Sequence, residues 1–300
     1  LKAEFEGRAV TVPDFLIVGA NKGGTTSLYY YLKQHPGIFM PLLKEPNFFI
    51  YGGEQPPESA HPKGYKGQIW RFEDYLRLFE EAGEGQVAGE ASTPYLHCHK
   101  RAISNMKKFI PRWQDLRIVM ILRNPVDRAF SQYTMYRLWG VEDLEFEEVL
   151  QQPSHVRFTG PGLYYNPVKA YMDNFPHVKV YLFEDLKADA LGLVRDLFQF
   201  LGVDDSFVPE MKTKYNPSGA PWSRLFHRLL STPGLISSRV PLIKLIPLET
   251  RIGLTEKLSR LNIRKKLVMT EQSRQYLRDF YREDVLKLQG LIGRDLSKWL

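Results

Sequence analysis

One cysteine, Cys98, is all that 300 residues contain. No intramolecular disulfide can form, which excludes the stapled scaffolds of small secreted domains. Nothing around Cys98 makes a nucleophile pattern, so it reads as a structural or incidental thiol. Long apolar runs are equally scarce. None reaches the roughly 20 residues of a membrane-spanning helix, and the opening LKAEFEGRAV lacks the apolar stretch of a signal peptide. Histidine and acidic clusters at metal-ligand spacing are missing, so no metal is expected. Repeats and low-complexity tracts are missing too. The low cysteine count points to a cytoplasmic setting, and Leu1 in place of methionine suggests a domain taken from a longer protein.

The composition that remains is that of a full-cored globular protein, 43% hydrophobic and 25% charged. An α/β sheet of this length is routinely one domain, so residues 1–300 are expected to fold as one. Lys and Arg number 41 against 34 Asp and Glu, a net charge of +7. That balance favours anionic ligands and acidic partners. Without an aromatic stacking pattern or a known module it does not indicate nucleic acid.

Apolar runs alternate with helical patterns. Strands are expected at 14–19, 87–90, 117–122 and 178–183, and helices at 24–34, 98–109, 125–138, 164–174 and 189–201. This order predicts an α/β fold: a single P-loop-like domain with a mostly parallel central sheet flanked by helices on both faces. Ligands in such sheets bind beyond the carboxyl ends of the strands. The helical pattern from Glu271 to Leu288 reads as scaffold.

Three stretches break the alternation. Residues 51–72 are rich in Gly and Pro and should loop out, either as an active-site lid or as a static surface loop. Residues 207–223 form a second polar loop. Residues 224–268 mix Leu and Ile with Arg and Lys between Pro233, Pro241 and Pro247. They suit either short helices packed on the sheet or a basic surface for a membrane or an acidic partner.

The chemistry concentrates in DFLIVGANKGGTTSLYYYLKQ, residues 14–34. An apolar strand, Phe15-Leu16-Ile17-Val18, runs through Gly19-Ala20-Asn21-Lys22-Gly23-Gly24-Thr25-Thr26-Ser27 into a helix. Backbone N–H groups and the positive end of the helix dipole make such a junction an anion site. Lys22 adds a mobile charge. The nucleotide-triphosphate loop G-x-x-x-x-G-K-[ST] fits poorly: Thr25 follows Gly24, and the lysine stands two positions before that glycine. The strand Ile118–Leu122 also ends in Arg123-Asn124 and not in a metal-binding aspartate.

These residues resemble another family. The Lys22–Ser27 loop is similar to the 5′-phosphosulfate loop of sulfotransferases that use 3′-phosphoadenosine 5′-phosphosulfate (PAPS). The run Arg123-Asn124-Pro125-Val126-Asp127-Arg128-Ala129-Phe130-Ser131-Gln132-Tyr133 resembles their 3′-phosphate segment, in which an arginine and a serine eight residues later grip the phosphate. A guanidinium fork plus a hydroxyl suits a terminal monoester. Lys44-Glu45-Pro46-Asn47-Phe48-Phe49 looks like the K-E-x-x-F-F element of the carbohydrate, heparan-type branch, whose glutamate is a general base. Tyr164, Val168, Tyr171 and Phe175-Pro176 match a family helix. The stretches Val178–Leu186, Phe200–Val203 and Asp295–Trp299 fit scaffold elements.

The resemblance implies PAPS as co-substrate, adenosine 3′,5′-bisphosphate as product, and no metal. It places Lys22, Gly23, Gly24, Thr25, Thr26, Ser27, Arg123, Ser131 and Tyr164 at the nucleotide. Lys212, Lys214 and Ser218 fall where relatives close a loop over it. Lys22 would neutralise the leaving phosphate and Glu45 would take the acceptor proton. His97 is the alternative base, with His99 and His61 behind it, whereas His35 looks structural. Many relatives carry Glu-Lys-[Ser/Thr]-Pro where this chain has Glu90-Ala91-Ser92-Thr93-Pro94-Tyr95. Ala91 brings no charge, so Lys22 alone or another nearby cation must cover the bridging oxygen. The expected acceptor is a carbohydrate hydroxyl or a β-hydroxyacyl chain on an acidic acyl carrier protein. A nucleotide-binding module without catalysis is the alternative.

Overall fold

The computed structural model describes residues 1–5, 7–56, 69–211, 220–221, 263–265 and 267–300. Residues 57–68 of the expected lid (51–72), Lys212, Lys214, Ser218 and nearly all of the basic segment 224–268 lie outside the described residues.

Five strands form an all-parallel sheet in the order β4-β5-β3-β6-β7. They are β3 (Phe15–Gly19), β4 (Ile38–Phe39), β5 (Val87–Ala91), β6 (Arg117–Leu122) and β7 (His177–Leu182). β1 (Lys2–Phe5) and β2 (Arg8–Thr11) make a separate antiparallel pair, as do β8 (Ala220–Pro221) and β9 (Ile263–Lys265). β3 is central. The chain leaves it to build β4 and β5 on one side, then returns to build β6 and β7 on the other. The crevice at the carboxyl ends of β3 and β6 is therefore the expected ligand position.

Asp14 explains why β3 starts where it does. Its backbone N–H donates to the Ala88 carbonyl (2.7 Å) and its carbonyl accepts from Arg117 N (2.9 Å). Its Oδ2 accepts from Ala88 N (2.7 Å) and its Oδ1 from the N-terminal ammonium. One residue, through its backbone and its side chain, thus ties β3 to the strands on either side of it. Beyond it, all of β3 is buried, and the side chains alternate between two cores. Leu16, Val18, Ile118, Met120 and Leu122 face one core, and Phe15, Ile17, Val119 and Ile121 face the other.

The first core is covered by α5 (His99–Phe109), α6 (Pro125–Trp139), α9 (Tyr165–Asn174) and the C-terminal helix α12 (Glu271–Ile292). The second is covered by α1 (Thr25–Lys33) and α11 (Ala190–Leu201). Helices on both faces make the fold α/β, as expected.

Most boundaries fall within a residue or two of those expected. The helix expected at 189–201 is preceded by a separate helix, α10 (Phe183–Ala188), because Asp185 Oδ2 accepts from Leu182 N (2.9 Å) and starts a turn there. Short helices α2 (Phe48–Tyr51), α3 (Phe72–Arg77), α4 (Pro94–His97), α7 (Phe146–Gln151) and α8 (Val156–Thr159) complete the order. The C-terminal helix acts as scaffold: Asp284 accepts from the backbone N–H of Tyr164 (2.7 Å) and Tyr165 and so fixes the start of α9. His35 is structural as well, buried with Nδ1 accepting from Gly37 N (2.9 Å). No helix among the described residues is long and apolar enough to cross a membrane.

Candidate nucleotide and active site

The glycine-rich turn sits between β3 and α1. Gly23 N donates to the Ala20 carbonyl (2.9 Å), and Ala20 N donates to the Ile121 carbonyl (2.9 Å). The turn is thereby pinned to the end of β6. A Cβ at Gly23 would lie 2.3 Å from the Ile121 oxygen, so no other residue fits. Gly24 precedes α1 with φ 108°, a conformation glycine tolerates. It supplies no side-chain cap, and the first turn of α1 has no acidic residue. The dipole end is open to an external anion.

β6 ends at Leu122, and Asn124 starts α6. Its Oδ1 accepts from Val126 N (3.0 Å) and Asp127 N (3.4 Å), with Pro125 in the first helical position. Arg123 is left at the mouth between them. Its Nη1 donates to the Lys22 carbonyl (3.4 Å), its guanidinium lies over the Phe183 ring (4.9 Å), and its own carbonyl accepts from the Tyr164 hydroxyl (3.0 Å). The two phosphate motifs, a hundred residues apart in sequence, are therefore in direct contact. Tyr164 is fully buried and supports the Arg123 backbone.

Lys22 has φ 66°, and its Nζ lies 3.5 Å from Met135 Sδ. Ser131 is one turn before Met135 on α6, so the ammonium stands beside the face that carries Ser131. Burial, followed by the charge of Arg123, lowers the Lys22 pKa to about 8. Arg128 and Lys44 push the same way, and only Glu45 opposes them. Burial likewise lowers that of Arg123.

Arg128 was not among the expected site residues. It is completely buried, and Nη1 donates to Gln132 Oε1 (2.6 Å) and Nη2 to the Phe158 carbonyl. Its Nε has no partner among the described residues. Among those residues, no carboxylate forms an ion pair with Lys22, Arg123 or Arg128. Three cations drawn together, with Glu45, Asp127 and Glu184 acting on them only from beyond ion-pair distance, favour an anion between them.

Glu45 lies opposite, half-buried, on a turn where it and Asn47 both have positive φ (59° and 58°). Its backbone N–H donates to the Ala91 carbonyl (3.0 Å). Its Oε1 accepts from Thr93 Oγ1 (2.9 Å) and from Lys44 Nζ (3.0 Å). Lys44 is thus a cation close enough to act on Lys22, in a site where Ala91 offers none. His97 ends α4 with an exposed side chain. Partial desolvation, Arg128 and His99 lower its pKa, and neither Lys22 nor Glu45 figures among the charges acting on it. Among the described residues, no group of three or more His, Cys, Asp or Glu is placed to hold a metal ion.

A glycine cradle, an uncapped helix and a second arginine-bearing strand end stand together at the carboxyl ends of β3 and β6. The chain belongs to the sulfotransferase domain family, whose profile matches residues 12–215. It is similar to a sulfotransferase from Alicyclobacillus acidocaldarius of known crystal structure, 31% identical with a TM-score of 0.71, covering 97% of this chain and 99% of that one. Human bifunctional heparan sulfate N-deacetylase/N-sulfotransferase 2 is 24% identical over 311 residues, 96% of this chain and 31% of that protein. Mouse heparan sulfate glucosamine 3-O-sulfotransferase 3A1 is 27% identical over 203 residues, 64% of this chain and 46% of that protein. The chain spans less than half the length of these two curated relatives.

Proposed function

We propose that the chain, acting as one transferase domain, moves a sulfuryl group from PAPS to a carbohydrate hydroxyl. The observation that carries this reading is the convergence of Lys22, Arg123 and Arg128, all desolvated and none paired with a carboxylate. The Gly23 cradle and open end of α1 fit the 5′-phosphate, and Arg123 with Ser131 fits the 3′-phosphate. The polar loop bearing Lys212, Lys214 and Ser218 belongs to the same proposal.

The donor supplies the sulfuryl group and a phosphate leaving group. The residues supply the rest. Glu45 accepts the acceptor's hydroxyl proton as the acceptor oxygen bonds to sulfur. Lys22 stabilises the electron pair left on the bridging oxygen as the sulfur–oxygen bond breaks, in an in-line displacement. Thr93 and Lys44 hold Glu45 by one oxygen. Glu45 fits the role of base better than His97, because its charge acts on Lys22, whereas the His97 side chain is exposed at the end of α4.

The heparan sulfate named in two relatives supports a sugar acceptor. The test is mass spectrometry for the gain of one SO3 group on glycans and on β-hydroxyacyl carrier proteins, with Glu45→Gln as control. Sulfated glycan, reduced about 100-fold or more in the variant, is the expected result. Product on the acyl chain alone would replace the acceptor, and nucleotide binding without any product would replace the enzyme with a binding module.

A further inference from the structure

Glu90 is a carboxylate that the proposed chemistry leaves idle, and it is almost wholly buried near the end of β5. Among the described residues no cation pairs with it. Three hydroxyls surround it instead. Ser92 Oγ donates to its Oε2 (2.8 Å) and the Tyr75 hydroxyl to its Oε1 (3.3 Å), and the Tyr95 hydroxyl is near enough to lower its pKa. Two of these hydroxyls face the other way as well. Ser92 Oγ accepts from Asn47 N (3.2 Å), and the Tyr95 hydroxyl accepts from Phe49 N (3.3 Å). Asn47 and Phe49 stand two and four residues after Glu45.

We propose that Glu90 is a positioning residue, which holds Glu45 in place through the Ser92 and Tyr95 hydroxyls. This rests on the reading of Glu45 as the base. The physical reason is polarity. Burial pushes the Glu90 carboxyl up to about 7. Above that pH the ionised group can only accept, so the Ser92 hydroxyl turns its hydrogen towards Glu90 and presents a lone pair to the Asn47 amide, and the Tyr95 hydroxyl does the same for Phe49. Those amides lie in and just after a turn in which Glu45 and Asn47 adopt left-handed conformations, tolerated by asparagine but unfavourable for glutamate. Without fixed acceptors the turn would relax, and the Glu45 carboxylate would leave its place opposite Lys22. An amide at position 90 offers a donor at one end, so the hydroxyl it faces must reverse, and a tie breaks where that hydroxyl is Ser92 or Tyr95.

The experiment measures kcat, nucleotide affinity and melting temperature for Glu90→Gln, Ser92→Ala, Glu45→Gln and the double variant Glu45→Gln/Glu90→Gln. Glu90→Gln and Ser92→Ala are expected to lower kcat about 10- to 100-fold, the range usual for residues that orient an active group. Affinity for adenosine 3′,5′-bisphosphate should stay within about twofold, because Lys22 and Arg123 are held by other elements. On the Glu45→Gln background the Glu90 change should cost little more. A merely structural role would weaken nucleotide binding in parallel or multiply the loss in the double variant, and either result overturns the proposal. Unchanged kcat in folded Glu90→Gln does so too. If Glu90→Gln does not fold, Ser92→Ala carries the same test through one tie. Full activity in Glu45→Gln alone would instead remove the base reading, and is read without any change at Glu90.

Discussion

Nucleotide affinity measured against pH isolates Lys22. In the empty site its pKa is about 8, lowered first by burial and then by Arg123. A phosphate beside the ammonium favours the charged form and returns its pKa towards 10.5, the ordinary value. Because the bound value is the higher, the contribution of Lys22 to binding is complete below the free value and fades as pH rises above it. Between about pH 7 and about pH 9 the affinity for adenosine 3′,5′-bisphosphate should fall about tenfold, or about 1.4 kcal/mol. At about pH 9 the complex should take up close to one proton. The nucleotide's own monoester ionises near 6 and does not interfere. Calorimetry in two buffers of different ionisation enthalpy reads the proton count directly. Lys22→Met should abolish the uptake, and Lys22→Arg should abolish it while keeping the charge. Constant affinity across this range, or uptake that survives in Lys22→Met, would refute the assignment.

Two other substitutions test the walls of the site. Arg123→Ala removes a charged donor and should weaken adenosine 3′,5′-bisphosphate by about 1.5–3 kcal/mol, roughly 10- to 150-fold by calorimetry. Gly23→Ala drives a methyl into the Ile121 carbonyl at 2.3 Å. It should lower unfolding stability by about 2 kcal/mol or more in denaturant titration, and nucleotide binding should disappear with it.

The central strands were readable because parallel strands buried on both faces appear as unbroken apolar runs. Phe15–Val18 and Ile118–Leu122 are such runs, and the glycines and Asn124-Pro125 that follow mark where helices begin. β4 was not readable, since two residues, Ile38 and Phe39, carry no periodicity. Nor was the break between α10 and α11, which depends on one carboxylate, Asp185, turning back onto Leu182. Within the site, Lys22 and Arg123 follow from their loops, but Arg128 and Glu90 look in sequence like ordinary surface charges. Their burial comes from the packing of α3, α4, α6, α8 and β5, which no local pattern announces. The left-handed turn at Glu45–Asn47 was hidden for a related reason: glutamate has no preference for that conformation, and tertiary ties impose it.

The crowding of Arg123, Arg128 and Lys22 has a consequence for the life of the protein as a whole. Without its ligand the fold carries mutual repulsion at the site mouth, which Glu45, Asp127 and Glu184 offset in part and a molecule with negative groups at both ends would relieve further. Nucleotide is then a structural ligand as much as a reactant, and at a hundredfold excess over its dissociation constant it would add about 2.7 kcal/mol to the folded state. A domain built in this way should melt at a higher temperature when its donor or spent product is present.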